Sequence, residues 1–328
     1  MKTFKTIPAL LLACLFVCSL LAGCSGAAQP QTQPSASVSA ATSTPQTGGE
    51  TPAAAPTIDP NAPIAFADPV FEKLLKTELG KDEILPSDLA GYKGIQIAAD
   101  EFIFLEGNGK EYKSLILFTD EAFEYDGQRY TGDGTMESLA DLMYFPDLKY
   151  LRVTLQPQID YTTIPESVLA QLTLLNITQS KLTGIAFIGG AGQLVYTDLY
   201  ANQIADISGI EQCTKLKRVN FDYNQISDIS PLAGLGELTA ISCYGNKITD
   251  ISALAELKKL EELGFYDNQV SDISVLSGLP NLKSVEFINN QIEDVSPLAG
   301  FDAFERLALK GNPIKNIGQL SHIKNLEF

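Results

Sequence analysis

The chain has 328 residues and a formal charge of −17, with 40 acidic side chains against 23 basic ones and a single histidine. Lysine and arginine form no cluster, so nucleic acid and anionic membrane surfaces are poor partners. Gly-x-Ser-x-Gly, HExxH and phosphate-loop patterns are absent, and with so many acids chance carboxylate pairs are common, so an enzyme is not expected and no catalytic residue, metal or cofactor is assigned.

Residues 1–23 carry Lys2 and Lys5, then an apolar run from Ile7 to Leu21, then Leu21-Ala22-Gly23 before Cys24. A charged start and a short apolar core read as an export signal, too short for a membrane span. The ending resembles the bacterial lipoprotein signal, which implies cleavage before Cys24, a diacylated Cys24 and a lipid anchor on the outer side of a membrane. Ordinary cleavage near Ala22 with free secretion is the alternative.

Residues 24–61 are rich in Ala, Ser, Thr, Pro, Gln and Gly, with only Glu50 and Asp59 charged. Nothing there can build a core, so the segment reads as a disordered tether that would span on the order of 33 Å as a flexible coil.

Residues 62–135 are expected to hold a helical N-terminal cap and an irregular, strand-rich insert. Asp68 suits a helix N-cap and Pro69 the first turn; Phe71, Leu74, Leu75 and Leu79 share one face, and Gly80 stops the helix. A second short element starts near Ser87. Phe102–Leu105 and Leu115–Phe118 read as strands around Gly107-Asn108-Gly109, with another tight hairpin at Asp126-Gly127. The insert is either a swollen first repeat or a binding hairpin.

From Met136 to Phe328 one pattern recurs. Asn202, Asn224, Asn246, Asn268, Asn290 and Asn312 stand 22 residues apart. Around Asn224 lie Leu216, Val219, Phe221, Ile226, Ile229, Leu232 and Leu235, and around Asn246 the same offsets hold Leu238, Ile241, Cys243, Ile248, Ile251, Leu254 and Leu257. Seven such side chains at roughly 1.5–3 kcal/mol each cannot offset ordering 22 backbones at about 1–2 kcal/mol apiece, so each unit must stack on its neighbours. Phe145–Val153 matches Leu279–Phe287 position for position. Leu172, Leu175, Ile177, Leu182, Ile185 and Ile188 keep the offsets with Ser180 in the asparagine position, which gives about eight units. The asparagines are expected to form a buried, fully bonded ladder. Ser208, Ser230, Ser252, Ser274 and Ser296 are expected to cap the following turns, Ser230 and Ser296 directly before proline. Asp206, Asp228, Asp250, Asp272 and Asp294 are expected to bond local backbone, with shared calcium as the alternative. Cys213 and Cys243 take core offsets and read as small apolar residues, outside any disulfide. The chain stops just as Leu326 begins a further strand, an open apolar end expected to fray or self-associate.

The motif L-x-x-L-x-L-x-x-N-x-I-x-D-I-S resembles the internalin-type leucine-rich repeat of bacterial surface proteins, and Asp68–Leu75 looks like the helical cap that precedes such repeats. The resemblance implies an α/β right-handed solenoid, or horseshoe, with parallel strands on the concave side and a concave face that recognises proteins of a host or a cell surface. Strand positions that the core leaves free hold the candidate ligand-binding set: Tyr196, Asp198, Tyr200, Arg218, Asn220, Asp222, Tyr223, Tyr244, Glu262, Tyr266, Glu286 and Ile288. A protein ligand is the first expectation. A glycan or cell-wall ligand on the same tyrosines is the second, and a structural spacer the third.

Overall fold

The computed structural model describes residues 58–106, 116–118, 122–125 and 128–328. The export signal, Cys24, nearly all of the tether and the turns at Gly107-Asn108-Gly109 and Asp126-Gly127 lie outside the described residues.

Helix α1 spans Pro69–Leu79. Asp68 Oδ1 accepts the orphan N–H groups of Val70 (2.8 Å) and Phe71 (3.0 Å), and Gly80 at φ 65° closes the other end in the left-handed conformation that glycine tolerates. Asp68 also serves a second purpose. Its Oδ2 accepts from the backbones of Glu137 (2.8 Å) and Ser138 (2.9 Å), while Asp141 accepts from those of Ala67 (2.8 Å) and Asp68 (2.9 Å). Two buried carboxylates thus bolt the cap to the first repeat, and burial raises the pKa of Asp141.

Strands β1 (Gly94–Ala98) and β2 (Glu101–Glu106) follow, then a separate three-stranded antiparallel sheet of β3 (Ile116–Phe118), β4 (Ala122–Tyr125) and β5 (Gln128–Thr131). The expected partnership of Phe102–Leu105 with Leu115–Phe118 is corrected: β2 folds back on β1, with Ala98 opposite Glu101, and β3 pairs with β4. The reason is packing under α1. Ile95, Ile97, Phe102 and Phe104 all bury in one cluster with Phe71, whose ring stands edge-on to Phe102 at 5.6 Å.

The repeat strands are β6 (Tyr150–Thr154), β7 (Leu174–Thr178), β8 (Tyr196–Asp198), β9 (Arg218–Asn220), β10 (Ala240–Ser242), β11 (Glu262–Gly264), β12 (Ser284–Glu286), β13 (Arg306–Ala308) and β14 (Leu326–Glu327), with the short helix α2 (Glu166–Leu169) between β6 and β7. They form one sheet in the order β14 to β6, then β1 and β2. All its pairs are parallel except that of β1 with β2. So the parallel sheet reaches one strand further back than the Met136 boundary, because β1 pairs in register with β6 (Gly94 opposite Tyr150). Gly94–Glu106 therefore belongs to the main sheet. Between β6 and β13 there are eight repeat strands, and β14 opens a ninth.

Core positions fill as the pattern demands: Val219, Phe221, Ile226, Ile229, Leu232 and Leu235 are buried, as are their counterparts in the next unit. Cys243 stacks in the column that otherwise holds Phe221, Phe265 and Phe287. It and Cys213 are free, buried thiols; burial pushes Cys213 up to about 11.

Each ladder asparagine bridges two turns. Asn246 Oδ1 accepts from Ile226 N of the preceding turn (3.0 Å), and its Nδ2 donates to Phe221 O of that turn and to Cys243 O and Tyr244 O of its own (2.9, 3.1 and 3.1 Å). Asn202, Asn224, Asn268, Asn290 and Asn312 make the same bridge. Ser180 stands in the column one turn earlier, its N–H held by Asn202 Oδ1 (2.9 Å).

The serine caps are corrected. Ser230, Ser252, Ser274 and Ser296 are the first residues of 3-10 turns and no side chain of theirs caps the turn. The acceptor is the aspartate two residues earlier: Asp206, Asp228, Asp250, Asp272 and Asp294 take the N–H of the following serine at 2.7–2.8 Å. A carboxylate reaches that N–H directly, so the acid column bonds local backbone; the Ser208 hydroxyl and then its N–H hold Asp206 below the usual carboxylate range, and at Asp250 and Asp294 the serine N–H leads and the hydroxyl adds.

The concave sheet face as candidate functional site

Strands β8 to β13 turn Thr197, Val219, Ile241, Leu263, Val285 and Leu307 into the core, so the residues flanking them face the opposite side. The register aligns these into columns. One holds Tyr196, Arg218, Ala240, Glu262, Ser284 and Arg306; the next holds Asp198, Asn220, Ser242, Gly264, Glu286 and Ala308. Two residues further on come Tyr200, Asp222, Tyr244, Tyr266, Ile288 and Lys310.

A fourth column, unforeseen from the sequence, holds the residue just before each ladder asparagine. Ala201, Tyr223, Gly245, Asp267, Asn289 and Gly311 all have φ between 52° and 78°. The backbone must turn there to bring the asparagine inward, and glycine, asparagine and aspartate suit a left-handed conformation. Tyr223 is the bulky exception, and it is 50% exposed.

The tyrosines meet in two pairs. Tyr200 and Tyr223 stand edge to face at 5.5 Å and 80°, Tyr244 and Tyr266 at 5.9 Å and 88°. Tyr200, Tyr244 and Tyr266 are half-buried. Glycines make room for two of the rings: a Cβ on Gly245 would stand 2.9 Å from Tyr223 Cδ1, and one on Gly264 would stand 3.0 Å from Tyr244 Cζ. Burial first, and then the Glu286 carboxylate that its hydroxyl bonds, raise the pKa of Tyr244.

The polar set divides. Arg218 and Glu262 pair with each other across Ala240 at 2.5 Å, and Arg306 lies 3.5 Å from both Glu286 and Glu327. Asn220 Oδ1 accepts from Asp222 N (2.8 Å), and Asp198 Oδ1 from Tyr200 N (3.1 Å). The expectation of an outward, solvated Asp222 is corrected: it is 8% exposed, and its Oδ1 accepts from Ser242 Oγ (2.6 Å) and Tyr244 N (2.7 Å). Asp222 reaches across to the neighbouring turn and supplies the acceptor for both groups. Burial pushes Asp198 and Asp222 each up to about 6; Asp222 adds to the rise at Asp198, and Glu286 to that at Asp222. Tyr196 and Ile288 are partly buried at the margins. Two foci result, one of Asp198, Tyr200, Asp222 and Tyr223, the other of Tyr244, Tyr266, Glu286 and Arg306. Sequence reasoning missed Gly245, Gly264 and Arg306. The run Gly245, Asp267, Asn289 and Gly311 before successive asparagines was the available signal for the left-handed column.

A profile for leucine-rich repeats (two copies) matches residues 258–300. No curated protein sequence matches the chain. Among solved structures, internalin C2 of Listeria monocytogenes is similar at 28% identity and a TM-score of 0.54, over 76% of this chain and 92% of that one. The repeats are of the internalin type. A second internalin from the same organism, InlF, aligns at 23% identity and a TM-score of 0.50 over 80% of this chain and 96% of its own, which extends the likeness in fold. An internalin-like leucine-rich-repeat fold is a protein-interaction scaffold. Among the described residues no helix is long and apolar enough to cross a membrane.

Proposed function

We propose that the chain is a lipid-anchored surface protein that recognises another protein through the concave face of its repeats. The observation that carries this is Tyr223: a half-exposed aromatic held in a left-handed backbone conformation that costs a bulky residue on the order of 1–2 kcal/mol. Core packing asks nothing of that side chain, and rigid aromatics on a sheet serve as interface anchors. Tyr266, half-buried against Tyr244, supports it from the second focus. The edge-to-face setting of both tyrosine pairs favours a protein over a glycan, since in neither pair do the rings lie flat side by side as a platform for sugar stacking. The anchor rests on Leu21-Ala22-Gly23-Cys24, and the tether beyond it supplies reach.

The test exposes the full chain to a glycan array and to surface-protein extracts. Capture of a protein that Tyr223→Ala/Tyr266→Ala no longer captures supports the reading; binding confined to glycans overturns it. Incorporation of radiolabelled palmitate that Cys24→Ala abolishes supports the anchor, and unchanged incorporation rejects it.

A further inference from the structure

The floor of the concave face holds two acids that no ion pair among the described residues neutralises. Glu262 pairs with Arg218 and Glu286 with Arg306, whereas neither Asp198 nor Asp222 has a basic side chain within ion-pairing distance among the described residues. Arg152 acts on Asp198 only through space, with β7 between their strands. In each acid Oδ1 takes all the hydrogen bonds and Oδ2 takes none among the described residues. Beside them stand Tyr200 and Tyr223, their rings perpendicular, with Tyr223 open to solvent. Two carboxylates and two aromatic rings in one patch attract a cation by charge and by the ring faces together.

We infer that this patch receives a lysine or arginine side chain from an extended segment of the protein partner. Charge complementarity selects that occupant. A flat apolar partner would leave both carboxylates buried without a counter-charge, which is costly, while a basic side chain supplies donors to the two free Oδ2 atoms and lies against Tyr223. Its aliphatic stem covers the Tyr200 ring while its charged head stays with the acids. The inference rests on the concave-face reading and adds the chemistry of the partner to it.

The test uses the full chain and the probe peptide acetyl-Gly-Lys-Gly-Lys-Gly-amide, beside the same peptide with both lysines acetylated. Asp198→Asn/Asp222→Asn keeps the Oδ1 acceptors and removes the charge. Glu256→Gln/Asp302→Asn removes two exposed charges elsewhere. Circular dichroism confirms the fold of each. The expected result is binding of the lysine peptide by the wild type, within about twofold by the control variant, and about tenfold or more weaker by the concave variant, with no binding of the acetylated peptide. Equal weakening in both variants shows only the net charge of the chain at work and overturns the inference, as does full retention by the concave variant. Where Tyr223→Ala/Tyr266→Ala abolishes capture of the protein partner and Asp198→Asn/Asp222→Asn leaves it intact, the concave reading stands and this inference falls. Where neither variant alters capture, both fall.

Discussion

The Tyr244 ring lies across the backbone of Gly264 on the neighbouring strand, so closely that a Cβ at that glycine would stand 3.0 Å from both its Cζ and its hydroxyl oxygen. Gly264 sits at ordinary strand φ, so alanine there meets no backbone strain and must displace the ring. Gly264→Ala is expected to leave the fold intact by circular dichroism and to weaken partner binding roughly tenfold, through loss of the Tyr244 and Tyr266 pairing. Gly245→Ala differs. There φ is +62°, and the added methyl meets Tyr223, so a loss of about 1–2 kcal/mol in stability is expected besides weaker binding. Equal melting curves for the two variants would count against this division.

The ladder sets the second expectation. Asn246→Ala leaves Ile226 N unpaired in a buried turn and takes one of their two donors from Phe221 O, Cys243 O and Tyr244 O, and should cost about 1–3 kcal/mol in chemical denaturation. A melting curve identical to the wild type would refute the ladder's role.

Asp68 joins helix cap and docking in one side chain, since four backbone N–H groups share its two oxygens. Asp68→Ala is expected to cost on the order of 3–5 kcal/mol, above the ~1 kcal/mol of an ordinary N-cap loss. Hydrogen exchange should show α1 opening ahead of β9 to β12. Uniform exchange along the chain is the contrary outcome.

Much of this was legible in the sequence, and the parts that were not have physical reasons. Asn224 and its repeats, the apolar offsets around them and the Asp68-to-Gly80 helix are local, periodic signals. β1 escaped notice because a single strand carries no period, and its pairing with β6 depends on contacts 56 residues apart. Asp222 has the spacing of an outward residue, yet Ser242 Oγ and Tyr244 N on the next turn draw it in. No single repeat encodes that bond, because it belongs to the stack. The serine caps failed for a related reason: Asp228 and Ser230 both fit a cap, and only coordinates show which atom accepts.

The two raised acids make a pH expectation. The folded-state pKa of Asp198 and of Asp222 is about 6, against 3.8 for the free side chain. A raised carboxylate contributes stability that is fully present below the unfolded value and lost as pH rises through the folded one. The charged and polar groups facing them are Arg152, Tyr200, Ser242, Tyr244 and Glu286. Between pH 7 and pH 5 the melting temperature should therefore rise. Asp222→Asn should stabilise the chain at pH 7 by about 1–3 kcal/mol and by roughly half as much at pH 5. A melting temperature that falls on acidification over that window, or an Asp222→Asn variant less stable at pH 7, would show the acid paid for by contacts within the fold.

The central claim is that the concave wall does the recognising, and the measurement that reaches it most directly is the affinity of the full chain for its captured protein, compared across two faces at matched melting temperature. The account predicts that Tyr223→Ala/Tyr266→Ala weakens binding about tenfold or more, while Lys259→Ala/Lys315→Ala, exposed residues outside the concave columns, changes it less than about twofold. Unchanged affinity in the tyrosine variant, with loss in the lysine variant, would contradict it.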